Sequence, residues 1–448
     1  MKIRKFIILW VVISSTLLPI GISNKISSNE RLLFESPSSK PQITYNKDNK
    51  TIILMIGDGM DHEHLKLAKW VEIGKNNCFS FELVPIIDNV TTYSADNSVT
   101  DSAAAATAIA TGYKTNNGYL SILPSLISVQ TILEMAQEKG KSSGIVSTTE
   151  VTHATPAAFM THVTSRSQTS EIARQIVEES GVDIIMGGGK VYFNSQQINQ
   201  MQMNGYQIVE NKTGLQSISS GKLFGLFADS HLPYEIDRDY SLTPSLADMT
   251  DKAIELLSQD PDGFFLMVEG GKIDHAGHAN NKVNVALETI EFYYAIERAI
   301  TFVKNTKNCL LIITADHETG GLLILGDNLN STLPSQSNTP EENEFLRIKR
   351  SENISVSWST TSHTNADVPF YAYGLDDESI KNFTVIDNTD IIKIMKSFLQ
   401  IENQEPLNIG WIITLGAVIA ITVSFLSLFS YKKFKRLKNE SNINKNLF

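Results

Sequence analysis

Leu310-Leu311-Ile312-Ile313-Thr314-Ala315-Asp316-His317 is a short apolar run that stops on an acid with a histidine beside it. The run is continuous rather than alternating, bounded by polar residues, and short, which predicts a strand buried on both faces of a parallel sheet. Two other runs have the same form: Leu54-Met55-Ile56-Gly57 leads into Asp58, and Phe264-Phe265-Leu266-Met267-Val268 leads into Glu269. Helical patterns from Ser245 to Ser258 and from Asn284 to Lys304 alternate with them. The expected fold class is therefore α/β, a three-layer α/β/α sandwich with a mostly parallel central sheet. In such sheets ligands sit outside the carboxyl ends of the strands, where Asp58, Glu269 and Asp316 are all expected to emerge.

A second stretch supplies a candidate nucleophile. Val99-Thr100-Asp101-Ser102-Ala103-Ala104-Ala105-Ala106-Thr107-Ala108 sets Ser102 at the mouth of an alanine-rich run with high helix propensity. On its own this is the ordinary signature of a helix cap; beside a cation site, the unpaired N–H groups of a helix start favour both a serine alkoxide and a phosphate. Metal-ligand types are plentiful. Asp274 and His278 in Ile273-Asp274-His275-Ala276-Gly277-His278 are four apart, which suits one helical turn or an irregular glycine turn. Asp316 and His317 form a second carboxylate and imidazole pair, and His363 stands alone in Thr361-Ser362-His363-Thr364. Carboxylate and imidazole sets without thiolates suit catalytic zinc, whereas the all-oxygen set of Asp58, Thr155 and Glu269 suits magnesium.

These segments together resemble the alkaline phosphatases. The resemblance rests on Met55-Ile56-Gly57-Asp58-Gly59-Met60, Thr100 to Thr107, His153-Ala154-Thr155-Pro156, Thr164-Ser165-Arg166, Val268-Glu269-Gly270-Gly271 through His278, Thr314 to Glu318, and Ser362-His363-Thr364, in the family's order from about Asn49 to about Ser397. It implies two zinc ions, one held by Asp274, His278 and His363 and the other by Asp58, Asp316 and His317, and one magnesium ion held by Asp58, Thr155 and Glu269. It further implies that Ser102 is the nucleophile, that Arg166 grips phosphoryl oxygens through its planar fork, and that Asp101, His153 and His275 surround the site. The substrates it implies are phosphomonoesters, with inorganic phosphate as product, and the assembly it implies is a homodimer. His153 stands where the best-known bacterial members carry aspartate, and His275 where they carry lysine, a pairing closer to the animal enzymes. Between Gly326 and Ser357 there is only a short polar insertion where many relatives carry a larger accessory domain.

The two ends predict where this chemistry takes place. Lys2, Arg4 and Lys5 precede an apolar run, so residues 1–24 read as a signal peptide and 25–48 as a linker to a catalytic domain over 49–400. Ile409 to Ser430 carries no charge and is long enough to cross a bilayer, and the basic tail of 431–448 follows. The expected topology is one C-terminal transmembrane helix with a cytoplasmic tail and an extracellular, lumenal or periplasmic catalytic domain. The chain is acidic, with net charge −11, so nucleic acid is not expected as a partner. Its two cysteines, Cys78 and Cys309, allow one disulfide at most. Two other readings compete: a phosphodiesterase or phosphonate hydrolase on the same scaffold, and an inactive membrane-tethered binding ectodomain. A sulfatase would need a modified Cys or Ser followed by Pro and Arg, whereas Ser102 is followed by alanines.

Overall fold

The three apolar runs fold as adjacent inner strands of one sheet. The computed structural model describes residues 49–83, 89–329, 340–374 and 387–401. Its main sheet has eight strands: β1 (Thr51–Gly57), β2 (Ser142–Glu150), β3 (Ile184–Gly188), β4 (Tyr206–Val209), β5 (Lys222–Leu226), β6 (Phe264–Gly270), β7 (Cys309–Ala315) and an edge strand, Phe370–Tyr373. Across the sheet the order is Phe370–Tyr373, β7, β1, β6, β2, β3, β5, β4. Every pairing is parallel except that of the edge strand with β7.

All residues of β1, β6 and β7 are buried, as continuous apolar runs in a sheet covered on both faces must be. One group of helices, His62–Glu72, Leu246–Leu257, Lys282–Asn305 and Pro340–Glu352, packs together; another, Ser102–Thr111, Ile132–Glu138, Ala154–Met160 and Ile391–Leu399, does the same. Both groups reach β2 and β6. The expected helices at Ser245 to Ser258 and Asn284 to Lys304 are present within a residue or two at each end.

Register decides the site. Ile56 of β1 pairs with Glu269 of β6 and with Thr314 of β7, and Gly57 pairs with Ala315, so Asp58 and Asp316 leave neighbouring strands at one level beside Glu269. Glu269 is the penultimate residue of β6 rather than the residue after it. Two short antiparallel pairings lie beyond these ends: Glu318–Thr319 with His363–Thr364, and Leu322–Asp327 with Ile354–Trp358. The first carries His363 to the strand ends. The second, with the Pro340–Glu352 helix, accounts for the described part of the polar insertion between Gly326 and Ser357.

Cys78 is exposed and Cys309 buried, and both are free thiols, so the permitted disulfide is not formed. Among the described residues no helix is long and apolar enough to cross a membrane. The expected signal peptide and linker over 1–48, the transmembrane helix over 409–430 and the tail over 431–448 all lie outside the described residues.

Candidate active site

Ser102 is the first residue of the Ser102–Thr111 helix, as its sequence setting predicts. Asp101 is the cap: its carboxylate accepts the Ala104 N–H at 3.0 Å, and Gly112 ends the helix in the left-handed conformation. All ten residues of this helix are buried, and its alanines permit that close packing. Ser102 Oγ lies 3.2 Å from His317 Nε2.

Around that hydroxyl the strand ends and following turns converge as three sets. Asp58, Asp316 and His317 offer ligand atoms that all lie within 4.8 Å of one another, and none of the three is exposed. Asp274, His278 and His363 form a second such set, and Asp58, His153 and Glu269 a third. Asp58 thus belongs to two sets, the shared position that the resemblance implies for it. Asp274 and His278 lie on a regular helix, Lys272–His278, which decides between the two turn geometries the sequence left open. Gly59 locks Asp58 to both neighbours. Its φ of +72° suits glycine, a Cβ there would meet the Asp274 Cα at 2.8 Å, and its N–H donates to Asp316 Oδ1 at 3.1 Å.

The hydrogen bonds around the imidazoles fix where their lone pairs point. His278 Nδ1 lies 2.7 Å from the Thr361 carbonyl and His363 Nδ1 lies 2.9 Å from the Thr100 carbonyl, so each neutral ring carries its proton on Nδ1. Their Nε2 atoms then face each other at 3.2 Å, both toward Asp274 Oδ1 at 3.3 and 3.5 Å. Opposed lone pairs repel unless a cation lies between them, and a backbone carbonyl behind a histidine is the usual second support of a metal ligand. His317 Nε2 likewise faces Asp58 Oδ1 at 3.5 Å and Asp316 Oδ2 at 3.3 Å, and its ring stacks on His363 at 3.6 Å.

Buried oxygens tell the same story. Both carboxylate oxygens of Asp58, Oδ2 of Asp316, Oε1 of Glu269 and the hydroxyl of Thr155 are buried and make no well-formed hydrogen bond. A buried anion in that condition is costly unless a cation joins it. Burial, then Asp316, Asp274 and Glu269, push the Asp58 carboxyl well above its usual range; burial does the same to Asp316. Glu269 is raised by burial against the opposing bonds from Ser147 and Thr149. Burial and the neighbouring His363 and Arg166 hold His317 well below the usual histidine range, which keeps the ring neutral and able to bind a metal. The residues present fit divalent cations in the first two sets, and in the third through the oxygens of Asp58, Glu269 and Thr155.

Arg166 stands at the edge of this cluster, with its N–H bonded to the Gly118 carbonyl at 2.7 Å. One guanidinium nitrogen, Nη1, meets Asp101 Oδ2 at 3.1 Å and the other, Nη2, meets His153 Nε2 at 3.0 Å. His153 caps the Ala154–Met160 helix that carries Thr155, and it joins Asp58 and Glu269 in the third set, as its position two residues from Thr155 allows. His275 lies 5.8 Å from His153, ring to ring. Every predicted site residue therefore falls in one neighbourhood. Sequence reasoning missed His231, whose ring lies 4.5 Å from that of His275 and 5.6 Å from that of His153. It also missed a buried group of Asp61, His64 and Glu318. There Asp61 caps the His62–Glu72 helix and Glu318 takes the N–H groups of Gly321 and Leu322, so these acids are already satisfied by the protein. No motif marked His231; its sequence neighbours are Ser230 and Leu232.

A mostly parallel α/β sheet with carboxylate and imidazole sets at its strand ends, and a serine at the first position of a helix beside them, is the constellation of a hydrolase acting on phosphate esters. The alkaline phosphatase family model matches residues 49–353. The chain is 34% identical over 453 residues to alkaline phosphatase 3 of Bacillus subtilis, covering 86% of this chain and 97% of that one. Among solved structures, the cold-active alkaline phosphatase of a psychrophilic Shewanella superposes with a TM-score of 0.68 at 32% identity, covering 78% of this chain and 99% of that one. A variant of the alkaline phosphatase from the Antarctic bacterium TAB5, with one histidine replaced by aspartate and Mg bound in its M3 site, superposes at 0.67 with 30% identity, covering 80% of this chain and 99% of that one. The chain belongs to the alkaline phosphatase family and is an enzyme of that hydrolase class.

Proposed function

We propose that this protein hydrolyses phosphomonoesters through a phosphoserine at Ser102, with two zinc ions and one magnesium ion. The reading is carried by the opposed Nε2 atoms of His278 and His363 and by the oxygens of Asp58 and Asp316 that lack hydrogen bonds, which ask for cations near the Ser102 hydroxyl. Asp274, His278 and His363 would hold one zinc, Asp58, Asp316 and His317 the other, and Asp58, Thr155 and Glu269 the magnesium, with His153 alongside. Bound there, the metals supply charge that lowers the pKa of coordinated hydroxyls and neutralises a departing alkoxide.

The chain's own residues do the rest. Ser102 Oγ, its proton lost to solvent, attacks phosphorus in line; the Oγ–P bond forms as the bond from phosphorus to the leaving alkoxide breaks, and the alkoxide takes a proton from water. The first-turn N–H groups of the Ser102–Thr111 helix favour the anion there. Arg166, already turned by Asp101 and His153, offers its remaining N–H groups to two phosphoryl oxygens. Water then adds to phosphorus, releases Ser102 and yields inorganic phosphate. Asp274, His278 and His363 lie on the open side, where His278 keeps 39% of its side-chain surface, which suits departure of the alcohol.

The test compares p-nitrophenyl phosphate with a phosphodiester on purified protein of measured metal content. Preference for the monoester by several orders of magnitude supports the proposal, and preference for the diester replaces it with the rival hydrolase. Zinc or cobalt instead of magnesium in the third set would overturn that assignment alone. The reading extends to a homodimer held at a membrane by residues 409–430 with its catalytic domain outside the cytoplasm. Truncation before Ile409 is then expected to release active soluble enzyme, and recovery of the full chain in the soluble fraction would refute the anchor.

A further inference from the structure

We infer that His231 is a positioning residue for the phosphate grip, acting on Arg166 through His153. The inference rests on the reading of Arg166 just given and adds a residue that the site motifs do not contain.

The argument starts from the donors. A guanidinium only donates, so at the 3.0 Å contact with Arg166 Nη2, His153 Nε2 must be the acceptor and the His153 proton sits on Nδ1. That Nδ1 is buried and has no protein partner, so no hydrogen bond on the far side of the ring fixes its rotation. Packing does so instead. His231 and His275 stand nearly perpendicular to the His153 ring, at 5.6 Å and 86° and at 5.8 Å and 82°, and they meet each other at 4.5 Å and 82°. The His231 and His275 imidazoles thus form a corner into which His153 is wedged.

His231 is the rigid wall of that corner. Its Nδ1 accepts the backbone N–H of Glu150 at 3.2 Å, and the N–H of the next residue, Leu232, donates to the Thr148 carbonyl at 3.0 Å. Glu150 ends β2, and its own carbonyl accepts the His153 N–H at 2.9 Å, so one residue ties both histidines to the same strand end. The Glu150 carboxylate is itself held by Ser230 Oγ at 2.7 Å and Tyr192 Oη at 3.2 Å. Rigidity therefore runs from β2 through the His231 ring to His153, and from His153 Nε2 to the guanidinium fork. Orienting the fork before phosphate arrives removes an ordering cost from binding. His153 itself sits with Asp58, a ligand of one proposed zinc, so zinc content is read beside phosphate inhibition in the test.

The test is a double-mutant cycle on the metal-loaded enzyme, with competitive inhibition by inorganic phosphate as the main readout. His231→Asn keeps an acceptor near the Nδ1 position for the Glu150 N–H but removes the ring, so the strand end is preserved while the wall is lost. Its expected effect is a phosphate inhibition constant weakened by about three- to tenfold, the loss expected from freeing one ordered side chain, with zinc content unchanged. In an Arg166→Ala background the same substitution is expected to change phosphate inhibition by less than about twofold, since the residue it acts through is gone. His231→Phe, which keeps a ring, is expected to retain most of the parent's phosphate inhibition and provides a second arm of the cycle should the asparagine variant fold poorly. For His231→Asn, equal losses in both backgrounds or no loss in the parent background would overturn the inference; so would a loss of about tenfold or more in folded His231→Phe, which keeps the ring. If Arg166→Ala by itself leaves phosphate inhibition unchanged, the reading of Arg166 fails first and the inference falls with it; a large Arg166→Ala effect with additive His231 losses removes His231 alone.

Discussion

Asp101 does two jobs that a pair of substitutions can separate. As the cap of the Ser102–Thr111 helix its Oδ1 accepts the Ala104 N–H at 3.0 Å; both carboxylate oxygens lie 3.1 Å from the Gly118 N, and Oδ2 pairs with Arg166 Nη1 at 3.1 Å. Asp101→Ala loses all of this. The cap contributes about 1 kcal/mol, the half-buried Gly118 N–H left without its partner costs about 1 kcal/mol, and an ion pair whose side chains are 28% and 20% exposed adds no more than about 1 kcal/mol. The expected destabilisation is about 2–3 kcal/mol in all. Asp101→Asn keeps an oxygen for the cap and for Gly118 and gives up only the charge facing Arg166, so it is expected to cost less than about 1 kcal/mol. Both variants are expected to weaken inhibition by phosphate, because in each the guanidinium loses a charged anchor. Urea midpoints of metal-saturated protein, read beside the phosphate inhibition constant, separate the two jobs. An alanine variant within about 0.5 kcal/mol of the parent, or an asparagine variant as unstable as the alanine one, would refute the assignment of the cap.

Other predictions follow from the same contacts. Ser102→Ala is expected to keep the fold and the metals while lowering p-nitrophenyl phosphate turnover by on the order of a thousandfold or more, because the covalent route is gone; parent-like turnover in metal-verified protein would exclude the serine mechanism. Asp58→Ala is expected to deplete two metals and His363→Ala one, as read by elemental analysis, since Asp58 faces two of the sets and His363 one; loss of a single metal from the Asp58 variant would break the bridge assignment. Both ring nitrogens of His162 face acceptors, Nδ1 the Ser121 carbonyl and Nε2 the Glu134 carboxylate, each at 2.9 Å. Burial opposes protonation there, but those two partners outweigh it and raise His162 above its ordinary value. A raised histidine gives stability that is full below its unfolded pKa, about 6.5, and is lost as pH rises through the folded value. Melting curves of metal-loaded protein from pH 6 upward are therefore expected to fall more steeply for the parent than for His162→Gln, and equal slopes would contradict the pairing.

What the sequence made legible, and what it did not, follows from how each residue reaches the site. Asp58, Glu269 and Asp316 were readable because a parallel sheet delivers every strand's carboxyl end to one edge, and continuous apolar runs mark such strands without any knowledge of their order. Ser102 was readable because a helix start leaves a local signature, and Asp274 and His278 because four residues make one turn. His363 was a lone histidine by sequence. Only its two-residue pairing with Thr319 brings it across from a distant loop, and a bridge that short leaves no periodic signal. His153 was placed near the third set by resemblance. Its bond to Arg166 depends on a rotamer and a tautomer, neither of which a sequence encodes locally. His231 is the extreme case. It is set by the turn after β5, reaches the site through the end of β2, and is separated from His153 by 78 positions in the chain. Its neighbours have no chemistry of their own to draw attention to it. Most of the residues that define the reaction class thus sit on the regular elements or directly after them, where pattern and spacing reveal them. Those that aim the reaction sit on the turns between, and they emerge only when the strands are laid side by side.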